Sequence, residues 1–458
     1  MSLLPILSGI LIGTSFIPFS PWASCFCFVP LWIYWSRQND FRRIFVAGWL
    51  TGFVLTLIGF NWVAHTLHEF AHLPWPLAIL GLLLFAALAQ LYIPLAGILW
   101  FFIQRQLQYS NRLSMLIMGV ITALGDRYSF TLFDWNFGYS WYASGLPLYH
   151  LAEWIGFSGL STLTIGLNIV CHFAWQSRHM KRAWGLLAGF CTLFAAMNAG
   201  GFWLQHRLAT PDSLLHVLLV QGNIGNEEKS AAELGTGFRD TIIEKYFRLS
   251  TRAIESQPTR PVDLIVWPEA AFPAFIDPVY GSKDQFGALQ EFVAQTKIPL
   301  VTGAYGVDRN QKQITNSLFA LDEVGRLTKP HYSKTILLAF GEYIPGINWL
   351  PFLRDFLPPI GEFARGPGPS VLLRVKDYRI GPQICYESLF PEFSRGLADL
   401  GAQFIINVTN DSWYGQWQEP YQHLYMTLAR AVEYRRPVIR ATNTGISSVA
   451  LASGEILN

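Results

Sequence analysis

The sequence has 458 residues, of which 51% are hydrophobic and only 14% are charged, an apolar balance for a soluble enzyme. Its formal net charge is +2, and the lack of a basic tract or a zinc-type cysteine spacing excludes a typical nucleic-acid-binding protein. This length predicts two or three domains, or one domain plus a membrane part. The five cysteines show no disulfide framework.

Charges are distributed unevenly between two halves of the chain. Residues 1–210 contain ten Lys and Arg and five Asp and Glu, whereas residues 211–458 contain 23 and 26. Long apolar runs with few charges are typical of membrane helices, and the second half has the charge content of an ordinary globular domain. We therefore predict a membrane domain over residues 1–210 and a globular domain over residues 211–458.

About seven apolar runs in the first half are candidates for membrane-spanning helices, which need roughly 20 residues each. They lie near 3–19, 21–35, 44–66, 74–103, 113–133, 149–175 and 183–204. Basic residues concentrate in alternate linkers, at 36–43, 104–112 and 176–182, and the positive-inside rule makes these linkers cytoplasmic. These cytoplasmic linkers put the N-terminus inside. If the number of spans is odd, the residues after Arg207 then lie on the outer face.

Polar residues within the first half leave alternatives open. Asp126 and Arg127 interrupt an apolar run, either as a contact with lipid headgroups or as a helix end at the membrane surface. The imidazoles of His65, His68 and His72 could share one helix face. We interpret them as part of a hydrated interfacial loop, and we predict no metal site.

From His216 onward, short β-rich runs alternate with amphipathic stretches. Strands are predicted near 216–224, 263–267, 299–305, 314–322, 371–375, 379–384, 404–408, 437–442 and 446–451. Helices are predicted near 236–255, 285–296, 388–400 and 421–434. Such alternation, with some direct hairpins, predicts a layered α/β domain with helices outside the sheets and functional residues just after strand ends.

Cys385 is the only cysteine outside the apolar half, and it lies at a predicted strand-to-helix turn, where the helix dipole favours thiolate over thiol. A thiol that attacks a carbonyl also needs a base and a donor for the oxyanion. Glu269, directly after a strand, is a candidate base, and Lys334 is a candidate donor. Taken singly, Cys385 could also be a small buried apolar residue, and Glu269 and Lys334 could be surface charges. Their spacing alone does not show that the three side chains lie together.

Several motifs follow one another in a recognisable order. They are Val220-Gln-Gly-Asn-Ile224, Val266-Trp-Pro-Glu269, Tyr332-Ser-Lys334, Phe340-Gly-Glu-Tyr-Ile-Pro345, Ile384-Cys-Tyr-Glu387, Asn410-Asp-Ser-Trp-Tyr-Gly415, Glu419-Pro-Tyr-Gln-His423 and Arg440-Ala-Thr-Asn-Thr-Gly445. Together they resemble the nitrilase, or carbon-nitrogen hydrolase, superfamily, and most of all its membrane branch, the apolipoprotein N-acyltransferases. With about seven spans ahead of them, the similarity covers nearly the whole chain.

This resemblance implies a polytopic α-helical membrane domain followed by an α/β nitrilase-like αββα sandwich. Its implied triad has Glu269 as base, Lys334 as oxyanion donor and Cys385 as nucleophile. The implied reaction moves a fatty acyl chain from a membrane phospholipid, through a thioester on the cysteine, to the N-terminal amine of a diacylglyceryl-cysteine lipoprotein. It implies no cofactor, and a monomer in the bacterial inner membrane with its catalytic domain in the periplasm.

The same resemblance assigns supporting residues. Glu342 and Glu387 are implied to support Lys334 and the charge of the site, and Tyr386 to lie beside the nucleophile.

The family continues past the Thr-Gly-Ile-Ser segment with further strands and a final membrane helix, whereas this sequence stops at Asn458. Either the domain closes with fewer strands or the sequence lacks a tail. Further motif residues are interpreted as fold or pocket-wall positions, with Trp413 also a candidate for substrate binding: Asn410, Trp413, Arg440 and Asn443.

Residues 347–359 are unusually apolar for a loop between Lys334 and Cys385. We predict an interfacial arm or lid that faces the membrane, in which Trp349 and Phe352 contact lipid. The alternative is that the stretch packs into the domain core.

Two other functions are compatible with parts of this pattern. A membrane-tethered amidase or nitrilase-type hydrolase of small amides would use the same triad, but it would leave the spans and residues 347–359 without a use. A non-catalytic scaffold or lipid carrier would follow if the family's C-terminal tail were needed for the fold.

Residues 225–229 lack the Pro-Gln and Lys-Trp features that the family has at this position. This difference bears on lipid contacts and not on the triad.

Overall fold

The structure is a computed structural model. It describes residues 3–107, 110–129, 135–208, 213–235, 237–276, 281–308, 313–339, 341–343 and 363–457. The chain separates into two compact units, each described by itself below. The first comprises Met1–Leu208 and Trp417–Ala429, and the second comprises Ala209–Gln416 and Arg430–Asn458. Residues 347–359, with Trp349 and Phe352, lie outside the described residues.

The secondary structure described for the first unit is helical. Its helices are α1 Leu4–Gly13, α2 Val29–Trp35, α3 Phe41–Gly59, α4 Trp62–Glu69, α5 Trp75–Leu88, α6 Tyr92–Leu107, α7 Asn111–Tyr128, α8 Phe137–Ala143, α9 Ala152–Gln176 and α10 Arg182–His206. A short 3-10 helix, Pro147–Leu151, runs directly into α9. The side chains of Asp40 and Ser110 cap the N-termini of α3 and α7, where backbone N–H groups have no partner inside the helix.

Membrane-spanning capacity is concentrated in part of this unit. In the described ranges, 4 stretches are long and apolar enough to cross a bilayer: Phe41–Gly59, Trp75–Leu107, Pro147–Gln176 and Arg182–His206. Large apolar side chains remain exposed on these helices, among them Trp184 and Trp203 of α10. Exposed apolar surface of this extent is suited to lipid contact rather than to water. The total of about seven spans stays a prediction.

Glycines allow the helices of this unit to approach closely. A Cβ atom added at Gly9 of α1 would lie 2.8 Å from the carbonyl oxygen of Thr51 in α3. A Cβ atom at Gly48 of α3 would lie 2.7 Å from Cα of Pro94 in α6. Because neither position has room for a side chain, small residues set these helix spacings, as is common between membrane helices.

The carboxylate of Asp126, which interrupts an apolar run, has hydroxyl partners on two other helices. It accepts a hydrogen bond of 2.8 Å from Ser161 in α9 and one of 3.4 Å from Tyr92 in α6. Arg127 is exposed in the last turn of α7, which ends at Tyr128. The pair therefore lies in the last turn of α7, and both alternatives for it stay predictions.

The segment Trp417–Ala429 belongs to the helical unit through Gln422. The side-chain nitrogen of Gln422 donates to the carbonyl oxygens of Gly59 at 2.8 Å and Ile17 at 2.9 Å. Its side-chain oxygen accepts from the indole N–H of Trp62 at 3.1 Å. One buried amide thus satisfies three groups on this unit, in keeping with the rule that buried polar groups are paired.

The second unit contains two β-sheets and their covering helices. Its strands are β1 Val217–Leu219, β2 Leu264–Val266, β3 Phe272–Phe275, β4 Leu300–Asp308, β5 Gln313–Leu321, β6 Tyr332–Ser333, β7 Leu373–Val375, β8 Tyr378–Ile384, β9 Phe404–Thr409, β10 Val438–Thr442, β11 Ser448–Ala450 and β12 Ile456–Leu457. Its helices are α11 Asn226–Glu233, α12 Arg239–Ser256, α13 Lys283–Thr296 and α14 Pro391–Asp399. A further helix, α15 Glu419–Tyr434, begins in the first unit and ends in the second.

Over the part of the chain that the structure describes, each sheet has six strands and mixes parallel with antiparallel pairs. The first has the order β1-β2-β4-β5-β6, with β3 beside β4, and the second has the order β12-β11-β10-β9-β8-β7. In the first sheet β1, β2, β3 and β4 run parallel, and β5 and β6 form antiparallel hairpin-type pairs. In the second, β8, β9 and β10 run parallel at the centre. The carboxyl ends of these central strands therefore meet at one edge, where sites commonly form.

Alternation along the strands builds two cores. Leu264 and Val266 of β2 pack with Ile384 of β8 and Val408 of β9 between the sheets. Ile265, between them in sequence, faces the other way into a core with α12 and α13. On the outer side of the second sheet α14 packs on Gly381, where an added Cβ atom would lie 3.2 Å from Cβ of Leu397. The layers are thus helix, sheet, sheet and helix, which confirms the predicted αββα sandwich.

Two predicted helices differ from the observed ones for local reasons. The helix expected near 236–255 begins as α12 at Arg239, because Gly235 and Gly237 adopt positive φ angles of 74° and 151° that end α11 and separate it from α12. The helix expected from residue 388 begins at Pro391, since proline suits the first turn and cannot continue a preceding one.

Candidate active site

Cys385 lies in a sharp turn at the carboxyl end of β8. Its φ angle is +52°, an uncommon left-handed conformation for a residue with a side chain, and the next residues form a single 3-10 turn, Cys385–Leu389. The side chain is buried, with 6% exposure. This turn places the sulfur at the edge where the central parallel strands end, and the local strain is of the kind that persists at functional sites.

Burial controls the protonation of this thiol. Burial, together with the carboxylate of Glu269, raises the pKa of Cys385 to about 12, while the Lys334 ammonium and the Thr409 hydroxyl oppose the shift. The expectation of a thiolate favoured by a helix dipole is therefore wrong for this site. Only a short 3-10 turn follows the cysteine, and desolvation of the charged form outweighs its dipole. A base must take the proton before the sulfur can attack.

Glu269, Lys334 and Glu342 form one ionic cluster, in which the first two are buried and Glu342 is half-buried. The ammonium of Lys334 lies 3.2 Å from Oε1 of Glu269 and 2.8 Å from Oε2 of Glu342. The lysine follows β6, and its backbone N–H donates to the carbonyl oxygen of Asn316 on β5 at 2.8 Å. Strand pairing thus sets the lysine between two carboxylates, as the resemblance implied for Glu342.

The lysine is charged despite its burial. Desolvation alone would lower the pKa of Lys334, but the carboxylates of Glu269 and Glu342 and the nearby Cys385 outweigh it and raise that pKa. A charged ammonium held by two carboxylates is a fixed hydrogen-bond donor. It is suited to stabilising an oxyanion that forms near the sulfur.

Asn316 is a site residue that the sequence analysis missed. Its Nδ2 donates to Oε1 of Glu269 at 2.7 Å and to Oε1 of Glu342 at 3.0 Å. It therefore bridges the two carboxylates that also hold Lys334. The first half of β5 also contains Gln313, Thr315 and Ser317, so no signal in the sequence distinguished this amide from its polar neighbours.

Glu387 accepts hydrogen bonds from both sides of the candidate site. Its Oε1 accepts from the hydroxyl of Tyr332 at 2.5 Å and from the backbone N–H of Thr335 at 2.6 Å. Its Oε2 accepts from the backbone N–H of Ile384 at 2.8 Å. Burial raises the pKa of Glu387 to about 7 against these hydrogen bonds, which lower it. The carboxyl group therefore connects the segment after Lys334 to the turn that contains Cys385.

The backbone of Glu269 is held from two sides. A Cβ atom added at Gly303 of β4 would lie 2.5 Å from the backbone nitrogen of Ala270, whose φ angle is +47°. The ammonium of Lys229, a buried residue of α11, donates to the carbonyl oxygen of Glu269 at 3.0 Å. Both contacts fix the backbone position from which the Glu269 side chain extends. Neither Gly303 nor Lys229 was identified from the sequence.

The remaining motif residues lie at the same edge with different roles. Tyr386 packs edge-on against Phe390 with ring centroids 5.1 Å apart, directly beside the nucleophile in sequence. Trp413 is half-buried in the turn after β9. Asn443 donates to Oδ1 of Asn410 at 2.9 Å, a buried amide pair that joins two loops of the sheet edge.

Two family models together cover most of the chain. The model described as apolipoprotein N-acyltransferase N-terminal domain matches residues 8–170. The model described as carbon-nitrogen hydrolase matches residues 220–458, which contain every residue of the cluster above.

Curated relatives match over nearly the whole length. The apolipoprotein N-acyltransferase of Bdellovibrio bacteriovorus is 43% identical, covering 99% of this chain and 84% of the relative. Those of Geobacter metallireducens and Pseudomonas paraeruginosa are 32% and 31% identical, each covering 99% of this chain and 86% of the relative. Among solved structures, Saccharomyces cerevisiae Nit3 of the nitrilase superfamily has 20% identity and a TM-score of 0.40, covering 53% of this chain and 84% of its own. The chain belongs to the apolipoprotein N-acyltransferase family, within the carbon-nitrogen hydrolase superfamily.

Proposed function

We propose that this chain transfers a fatty acyl chain from a membrane phospholipid to the N-terminal amine of diacylglyceryl-cysteine lipoproteins, through a thioester on Cys385. The observation that carries the proposal is the buried contact of Lys334 with Glu269 and Glu342, at 3.2 and 2.8 Å, with the cysteine close enough for these charges to act on its thiol. The names of the curated relatives supply the acceptor class.

In the first step the Glu269 carboxylate takes the thiol proton of Cys385, which burial otherwise holds on the sulfur. The sulfur attacks the ester carbonyl of the phospholipid, and the Lys334 ammonium stabilises the oxyanion of the tetrahedral intermediate. When that intermediate collapses, the protonated carboxyl returns the proton to the leaving oxygen. A lysophospholipid departs, and the acyl chain remains on the sulfur.

In the second step the lipoprotein amine attacks the thioester carbonyl. Glu269 takes a proton from the attacking nitrogen and returns it to the sulfur as the carbon-sulfur bond breaks. An amide is more stable than a thioester, so this half-reaction draws the first one forward. Glu342 and Asn316 keep the lysine and the base in place through both halves.

The donor and the location follow from the same proposal. The apolar helices of the first unit support a membrane protein, and the alternate basic linkers favour an outer-face location for the residues after Arg207. We therefore propose the bacterial inner membrane with the catalytic domain in the periplasm. A site outside the cytoplasm has no obvious supply of activated acyl carriers, which favours a donor from the bilayer.

The experiment uses the full chain in detergent with a phospholipid that carries an isotope-labelled acyl chain. Intact-protein mass spectrometry is expected to show one labelled acyl group that hydroxylamine removes, absent from Cys385→Ala. Adding a diacylated lipopeptide with a free N-terminus should discharge it as an amide, whereas the N-acetylated lipopeptide should not. Discharge to water at the same rate without peptide would instead identify a hydrolase, and no labelled protein would refute the thioester.

A further inference from the structure

A second arm of buried side chains reaches Cys385 from β9. In the parallel pairing of β8 with β9, Ile384 lies opposite Val408, so Asn407 and Thr409 flank that position on one face. Nδ2 of Asn407 donates to the carbonyl oxygen of Cys385 at 3.2 Å, and the same register puts the Thr409 side chain beside Cys385, where its hydroxyl opposes the rise in the pKa of the thiol. Both side chains are fully buried.

Behind Thr409 lies the carboxylate of Asp411. The threonine hydroxyl is 3.4 Å from Oδ1 of Asp411, and Oδ2 of the same carboxylate is 2.6 Å from the guanidinium of Arg440. Both charged side chains have 0% exposure, and Gly445, at φ +94°, packs so closely that a Cβ atom there would lie 2.4 Å from Oδ2. The carboxylate is thus immobile beside the hydroxyl.

A threonine hydroxyl carries one hydrogen and accepts two hydrogen bonds. Thr409 has two acceptors for that hydrogen within reach, the fixed carboxylate of Asp411 and the sulfur of Cys385. We propose that Thr409 is a catalytic hydrogen-bond donor, whose hydrogen points to Asp411 when the sulfur is neutral and to Cys385 when the sulfur is charged. This inference rests on the proposed nucleophilic role of the cysteine.

The sulfur is charged twice in each cycle, when it attacks the ester and when it leaves the second tetrahedral intermediate. The charged groups that act on it are Glu269, Lys334 and Asp411, and of these only the lysine favours the thiolate. That lysine is already shared by two carboxylates and is needed at the oxyanion. A neutral hydroxyl that rotates by one torsion stabilises the thiolate without adding a charge to the buried site.

The test is alkylation of Cys385 by iodoacetamide as a function of pH, followed by mass spectrometry of its peptide in the full chain. Thr409→Val keeps the shape and removes the hydroxyl, and it is expected to slow alkylation about tenfold at a given pH, because hydrogen bonds to charged groups are the stronger ones. Thr409→Ser, which keeps the hydroxyl, should restore the profile. Thr442→Val, a buried hydroxyl on β10, is the matched control and should leave the profile unchanged.

A Thr409→Val profile that overlays that of Thr409→Ser would overturn the inference. If the valine variant does not fold, Thr409→Ala compared with Thr409→Ser gives the same contrast. Alkylation needs no lipid, so this outcome is independent of whether phospholipid acylates the cysteine. Where acylation occurs, Thr409→Val should slow both thioester formation and its discharge to the lipopeptide, whereas a merely structural residue would lower only the folded fraction.

Discussion

The hydroxyl of Tyr332 donates a 2.5 Å hydrogen bond to Oε1 of Glu387. Tyr332 precedes Lys334 by two residues on the first sheet, and Glu387 follows Cys385 by two residues after the second sheet. The contact therefore crosses the sandwich between the two halves of the candidate site. We expect the distance between the Lys334 ammonium and the Cys385 sulfur to depend on this hydrogen bond, because each group lies two residues from one of its partners.

Glu387→Gln should destabilise the site and the sandwich together. The amide nitrogen of glutamine cannot accept from one of the N–H or O–H groups that now converge on the carboxyl group, and each unsatisfied buried donor costs about 1–3 kcal/mol. We expect a lower melting temperature in detergent and slower thioester formation. Glu392→Gln, an exposed position of α14, is the control and should change neither. Equal melting temperatures for the two variants would contradict this account of the link.

The same carboxyl group predicts how stability changes with pH. Burial raises the pKa of Glu387 from 4.5 to about 7, so the folded state binds this proton more tightly than the unfolded state. The free energy of unfolding should therefore fall as pH rises from about 4.5 to about 7, by a few kcal/mol from this group. Melting temperatures across this range, compared with Glu387→Gln, isolate the effect. A difference between the two proteins that does not vary with pH would rule it out.

Glu269→Gln should separate two properties of the cysteine. Loss of the base should reduce thioester formation by about 10²–10⁴-fold. Loss of the negative charge should lower the pKa of Cys385, because the Glu269 carboxylate raises it, so iodoacetamide alkylation at a given pH should become faster. Unfolding would also expose the thiol and speed its alkylation, so the melting temperature is measured on the same preparation, and an unchanged value identifies a catalytic defect.

Asn316→Ala should weaken acylation without abolishing it. The variant removes the bridge between Glu269 and Glu342 while leaving both contacts of Lys334 in place, so we expect about a tenfold loss, the scale of one hydrogen bond to a charged group. Gln313→Ala, at the start of the same strand, is the matched control. If both variants acylate at the wild-type rate, Asn316 has no part in placing the carboxylates.

Gly303→Ala should displace the base rather than remove it. The added methyl group would lie 2.5 Å from the backbone of Ala270, and overpacking of this kind costs about 1–3 kcal/mol. We expect a lower melting temperature and slower thioester formation. Gly287→Ala has open space around its added methyl group within α13 and should be stabilising or neutral. Normal acylation by Gly303→Ala would show that the turn at Glu269 tolerates movement.

Local patterns in the sequence were enough for the layered α/β architecture, because period-two burial along β2 and the amphipathic face of α12 are local properties. The resemblance supplied Glu269, Lys334 and Cys385, and the structure brings the first two together at 3.2 Å. Their roles stay predictions that the experiments above test. The acceptor and the family rest on the comparisons.

Other features depend on distances that no local pattern encodes. Asn316 and Thr409 look like ordinary polar residues until strand pairing puts them against the carboxylates and the sulfur. The thiolate expectation failed for a similar reason. A helix dipole can be inferred from a strand-to-helix turn, whereas the desolvation that dominates at Cys385 depends on everything packed around it.

A sulfur that holds its proton at rest is also a protected one. Peroxides and disulfides react with thiolates far faster than with thiols, so the buried, protonated Cys385 is slow to oxidise while no substrate is bound. Activation then depends on a base that the sulfur meets only inside the sandwich. In the proposed periplasmic location, this protonated state would protect the proposed nucleophile from oxidation between catalytic cycles.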